Sequence, residues 1–172
     1  MAYRNKTFVS FASEDIASYR LMTAWIANEN IDFNFHDAHD LNTALATSQP
    51  ETIRRRIRER LANTKQIVLL IGDQTRAKAA DPSSFIFYEM DVINNLLLPV
   101  VIANLNQSRE SQRSRLPAAL RDPYTMSVSF RPKIIQYALE NFPAAFTENL
   151  KASKPKTGPY YYKKSIYDNL GL

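Results

Sequence analysis

The segment Ser83-Ser84-Phe85-Ile86-Phe87-Tyr88-Glu89-Met90-Asp91-Val92-Ile93-Asn94-Asn95-Leu96 puts a carboxylate where an apolar side chain belongs. At about 100° per residue along a helix, Phe85, Tyr88, Val92, Ile93 and Leu96 gather in one sector, and Glu89 falls inside it. Asp91 and Asn94 face the other way, as solvent-facing residues do. An ionised carboxylate withdrawn from water carries a large free-energy cost unless something compensates it. An inward Glu near a helix start is therefore a candidate for chemistry in which a carboxylate supports developing positive charge. The plainer reading is a Glu that ends in a solvated groove or bonds the backbone of the preceding turn.

In open parallel sheets, ligands bind beyond the carboxyl ends of the strands, where the chain order reverses. Four segments occupy such positions: Phe11-Ala12-Ser13, His36-Asp37, Gly72-Asp73-Gln74-Thr75, and the loop from Pro82 into the helix bearing Glu89. The first turn has no glycine and the chain has only three, so neither a Walker loop nor a glycine-rich dinucleotide fingerprint exists. Ser10 and Ser13 lack the glycines of a nucleophile elbow, and two histidines leave little for a Ser-His-Asp triad. His36-Asp37-Ala38-His39-Asp40 has the residue types of a metal site, but a strand end does not aim both rings at one point. It reads instead as a strand end and a capped loop, with Asp37 alone facing the site and no metal expected. The basic stretch from Arg54 to Arg60 has no interleaved aromatics and includes Glu59, so it reads as a solvated helix face and no nucleic acid is expected. Trp25 reads as core.

Positioning these residues requires a sheet. Short apolar runs alternate with amphipathic stretches, the pattern of a parallel sheet covered on both faces. Strands are expected over 7–11, 32–36, 66–71, 98–103 and 125–130. The third and fourth are nearly continuous apolar runs, as in strands buried on both faces, and Pro99 belongs at a strand entry. Helices are expected from Ser13-Glu14-Asp15 to about Asn28, from Pro50 with Ile53, Ile57 and Leu61 as its packed stripe, and from Pro132 toward Lys151 with a break at Pro143. The 172 residues suit one domain, placed at 1–152, followed by an aromatic tail over 153–172 that docks on the domain or on a partner. The 45% hydrophobic and 23% charged composition is globular. With no apolar span and no signal segment at the start, a cytoplasmic protein without membrane contact is expected. The absence of cysteine excludes disulfides, thiolate metal sites and thiol nucleophiles. A net charge of +5 favours anionic partners without choosing among them. The fold class is α/β and flavodoxin-like.

At these residues the chain resembles a TIR domain, specifically the TIR-like branch of the signal-producing subunit of Thoeris anti-phage defence systems. The resemblance rests on Phe8-Val9-Ser10-Phe11 with Asp15 and Tyr19-Arg20, on Leu70-Ile71-Gly72-Asp73-Gln74-Thr75, on Tyr88-Glu89-Met90, and on the fourth strand from Val100 to Asn106. It covers roughly the first two-thirds of the chain. It implies a five-stranded parallel sheet in the order 2-1-3-4-5, and an enzyme that cleaves the nicotinamide–ribose bond of NAD with Glu89 as the catalytic carboxylate. Phe85 stands where many TIR enzymes have a Trp, and the 74–84 loop is longer than the family's pattern. The resemblance further implies that Phe11, Ala12, Ser13, Asp37, Gly72 and Phe85 bind substrate, that NAD is a substrate and no cofactor is needed, and that the ADP-ribosyl fragment becomes a cyclic or conjugated signal for a downstream effector. A phage-derived trigger and a homo-oligomer belong to the same expectation. Two other classes stay open at this stage: a non-enzymatic TIR-like interaction module, and a nucleoside or nucleotide glycosyl-transferring enzyme of similar fold.

Overall fold

Gln66–Ile71 is buried along its whole length and runs through the middle of a parallel sheet, as a strand apolar on both faces must. The computed structural model describes residues 6–31, 33, 36, 37 and 49–172. In chain order these form β1 (Lys6–Ser10), α1 (Ile16–Ala27), β2 (His36–Asp37), α2 (Pro50–Leu61), β3 (Gln66–Ile71), α3 (Thr75–Ala79), α4 (Phe85–Asn95), β4 (Val100–Asn104), β5 (Thr125–Ser129), α5 (Pro132–Lys151), β6 (Pro159–Tyr161) and α6 (Lys164–Asn169). The sheet order is β2-β1-β3-β4-β5-β6, with every neighbouring pair parallel. The order 2-1-3-4-5 expected of the first five strands is present, and a sixth strand extends it at the β5 edge.

Alternation along the strands assigns each face its helices. Val9, Val68, Leu70, Val101 and Val128 pack with Tyr19, Met22 and Trp25 of α1 and with Ile134, Ile135, Leu139 and Phe142 of α5. Phe8, Ile67, Leu69, Ile71 and Ile102 pack on the other face with Ile53, Ile57 and Leu61 of α2 and Ile86, Val92 and Ile93 of α4. The four-residue spacing on α2 thus supplies three buried side chains, each worth roughly 2 kcal/mol. Ser10 has the parity of Phe8, so it faces the α2 and α4 layer. Leu96 is 40% exposed because α4 ends at Asn95 and the chain turns away before the apolar stripe is complete.

One further element departs from expectation. Pro143 does not break α5, which runs unbroken from Pro132 to Lys151. Ile135, Leu139, Phe142 and Phe146 lie on one stripe against the sheet on both sides of the proline, and this packing outweighs the lost backbone hydrogen bond. The carboxyl-terminal segment adds β6, which pairs Met126 with Tyr160, and α6, which buries Tyr167 in the α1 and α5 layer. The Tyr167 hydroxyl accepts a hydrogen bond from the Ser129 N–H at 3.2 Å.

Candidate functional site

Glu89 lies on the buried side of α4 and is only 3% exposed. At the carboxyl end of β1, the buried hydroxyl of Ser10 donates a hydrogen bond to Glu89 Oε2. The inward orientation follows from helical phase, but its partner does not: the carboxylate is neither in open solvent nor bonded to the preceding turn. Burial pushes the Glu89 carboxyl up to about 7, while the Ser10 hydroxyl and the positive charge of Arg60 pull the other way. Arg60, in the last turn of α2, places its guanidinium 5.7 Å from the centre of the Phe85 ring. Phe85 is half-buried and sits one helical turn before Glu89, so ring, guanidinium and carboxyl form one group.

This shift has a consequence for stability. A carboxyl whose folded-state value is raised from 4.5 to about 7 binds its proton more tightly when folded. Its stabilising contribution is complete below pH 4.5 and is lost as pH rises to about 7, a change on the order of 3 kcal/mol. Glu89→Gln removes this dependence. The stability of the variant relative to the wild type, measured by urea denaturation at a series of pH values, should rise by that amount between pH 4.5 and 7 and level off above. A constant difference across the window would refute the assignment.

The turn after β1 forms the neighbouring rim. Phe11 stacks on Tyr19 with ring centres 4.9 Å apart, Ala12 is buried, and the exposed Ser13 donates from Oγ to Glu14 at 3.3 Å. Asp15 then reaches across to the turn after β3, where Thr75 Oγ1 lies 3.4 Å from Asp15 Oδ2 and accepts from the Gly72 N–H at 2.8 Å. Burial raises the Asp15 carboxyl above its ordinary value, opposed by the Thr75 hydroxyl. An ion pair at 3.1 Å between Glu14 and Lys78 ties the same two turns together.

Gly72 is required here by proximity: a Cβ at this position would stand 2.5 Å from both Asp15 carboxylate oxygens. Gly72→Ala should therefore cost about 1–3 kcal/mol, as overpacked sites do. Because the obstacle is a side chain, Asp15→Ala should recover most of that loss in a double-mutant cycle by thermal unfolding. Additive losses would show that the obstacle is the backbone instead.

The Thoeris protein ThsB, TIR-like domain family matches residues 8–110, more than half of the chain. The chain belongs to this TIR-like family. A solved structure described as the activated Roq1 resistosome directly recognizing the pathogen effector XopQ (TIR domains) is similar to it at 13% identity and a TM-score of 0.38. That similarity covers 67% of this chain and 65% of the other.

In this TIR-like domain the expected site residues fall into two groups. Phe85 and Glu89 converge on α4, while Phe11, Ala12 and Ser13 are joined to Gly72 through Asp15 and Thr75. Asp37 registers with Thr7 on β1, three residues before Ser10, so its backbone lies roughly 10 Å back along the strand. Residues 38–40 of the His-Asp stretch lie outside the described residues. Among the described residues, no cluster of three or more His, Cys, Asp or Glu could hold a metal, and no helix is long and apolar enough to cross a membrane.

Ser10, Arg60 and Asp15 join the site without having been singled out for it. Only Ser10 has a usable signal, a hydroxyl in phase with Phe8 at a strand's carboxyl end. Arg60 belongs to the stretch read as a solvated face, yet it is half-buried against Phe85. Together the groups around Glu89 offer a carboxyl that changes charge near neutrality, a hydroxyl that can exchange partners, an aromatic ring and a nearby positive charge. Such a set can accept a sugar hydroxyl and stabilise a cationic carbon.

Proposed function

We propose that this TIR-like protein cleaves the bond between nicotinamide and ribose in NAD and converts the ADP-ribosyl fragment into a cyclic or conjugated signal in anti-phage defence. The observation that carries this reading is the buried Glu89 carboxyl, held by Ser10 at the carboxyl edge of the sheet. As the C1′–N1 bond breaks, its electron pair moves to the nicotinamide nitrogen and neutralises the pyridinium. Positive charge develops on the ribosyl carbon. Ionised Glu89 accepts hydrogen bonds from the ribose hydroxyls in place of the Ser10 donor and stabilises that charge. No acid is needed, because the leaving group departs neutral.

Phe85 stacks on the nicotinamide ring, while Phe11, Ala12 and Ser13 line the nucleotide with backbone and hydroxyl contacts. Gly72 keeps the rim beside them low, and Asp37 is the substrate contact assigned to β2. An internal or added nucleophile then bonds to the ribosyl carbon and gives up its proton, forming the signal that a downstream effector reads. A phage-derived trigger and self-association belong to the same cytoplasmic proposal.

The test is to incubate the full chain with NAD and, in parallel, with nucleosides, and to follow base release and products by mass spectrometry. Release of nicotinamide with an ADP-ribose-derived product supports the reading. Cleavage of nucleosides with NAD left intact would replace it with a different glycosyl transfer, and loss of neither substrate under self-associating conditions would favour a non-catalytic module.

A further inference from the structure

Helix α4 has a second face. At about 100° per residue, Phe87, Met90 and Asp91 point away from Glu89, and with α3 and the 117–121 turn they bound an open groove of about 680 Å³. That volume lies within the roughly 300–1,000 Å³ of sites that hold small organic molecules. Its wall is apolar, built on Phe87, Met90 and the alanines of α3, and its charged groups are Arg54, Arg76, Arg121 and the carboxylate Asp91.

The three guanidinium groups are not equivalent. Arg54 is neutralised by Asp91 at 2.9 Å and Glu51 at 3.0 Å. Among the described residues, neither Arg76 nor Arg121 has a carboxylate within ion-pair distance. Arg76 gives one Nη to the Ser114 carbonyl at 2.8 Å, which fixes the side chain and leaves its other donors unassigned. Arg121 Nε is buried and, among the described residues, has no hydrogen-bond partner. A buried charged donor without an acceptor is costly, and because Arg121 also lines the groove, its guanidinium is a group that an anion there would meet.

We propose that this groove is a binding site, separate from the Glu89 site, for a phosphate ester carrying a flat apolar ring. The two uncompensated guanidinium charges match the charge of a phosphomonoester near neutral pH, about −1.5 to −2. The ring lies on the wall formed by Phe87 and Met90, and the phosphate is held by Arg76 and Arg121. The proposal is independent of the reaction assigned to Glu89, since it uses the other face of the helix.

Calorimetric titration of the full chain with AMP tests it, with adenosine and inorganic phosphate as separate arms. Besides any binding at the NAD site, AMP should occupy one site in the groove, with each fragment at least roughly tenfold weaker there, because neither makes both sets of contacts. Arg76→Gln with Arg121→Gln should weaken AMP by roughly tenfold or more. Ala80→Trp, at an exposed position on the groove wall, should block it while leaving the guanidinium groups intact, which keeps the test informative if the double variant fails to fold. Glu89→Gln should leave AMP binding unchanged. No AMP binding by the wild type, AMP binding undiminished by the arginine and by the tryptophan substitutions, or inorganic phosphate binding as tightly as AMP would each overturn the proposal.

Discussion

Glu89→Gln is expected to lower nicotinamide release from NAD by roughly 10²–10³-fold or more, the range seen when a single preorganised charge-stabilising group is removed. The loss should fall mainly on kcat, because positive charge passes from the pyridinium to the ribosyl carbon beside the carboxylate only as the glycosidic bond breaks. Gln has the same shape and its carbonyl can still accept from Ser10, so the fold should persist. It also removes the cost of burying a charge. The pH profile gives a second reading of the same side chain. With its carboxyl pushed up to about 7, wild-type kcat/KM should rise with pH through that value as Glu89 ionises. The same rise in pH removes stability from the fold, so activity and stability move in opposite directions across one window. Full turnover by Glu89→Gln, in an assay where the wild type releases nicotinamide, would sink the mechanism while leaving the family membership untouched.

Tyr167→Ala should cost about 3–5 kcal/mol, as truncation of a buried aromatic residue does. Tyr167 is fully enclosed, and the guanidinium of Arg109 lies 4.4 Å from its ring centre. Tyr167→Phe keeps the ring and should cost only about 1 kcal/mol for the lost hydrogen bond to the Ser129 N–H. Both values are read from urea denaturation midpoints. Against a usual domain stability of about 5–15 kcal/mol, the larger loss would leave a substantial unfolded fraction on warming. If Tyr167→Ala unfolds within 1 kcal/mol of the wild type, α6 is not part of the cooperative unit and the contact seen in the structure contributes little.

Local pattern was enough to read much of this protein. The apolar run from Gln66 to Ile71 has the length and continuity of a central parallel strand, and the four-residue spacing of Ile53, Ile57 and Leu61 can pack only as a helix stripe. Helical phase likewise turned Glu89 inward, because period and polarity are properties of consecutive residues. Short elements lack that redundancy: α3 spans five residues and β6 three, too few for a period to stand out. Leu96 shows the same limit, since phase continues the stripe past the point where the helix stops.

What surrounds Glu89 was decided by tertiary structure. Ser10 is 79 residues away in the chain, Arg60 arrives on a different helix, and Asp15 meets Thr75 across 60 residues. Pro143 stays inside α5 because the sheet packs against the helix on both sides of it, and Tyr167 reaches the core on the segment that follows β6, which pairs with β5. A side chain's type and phase are written locally. Its partner, its desolvation and therefore its charge state depend on which distant surfaces the sheet brings into contact.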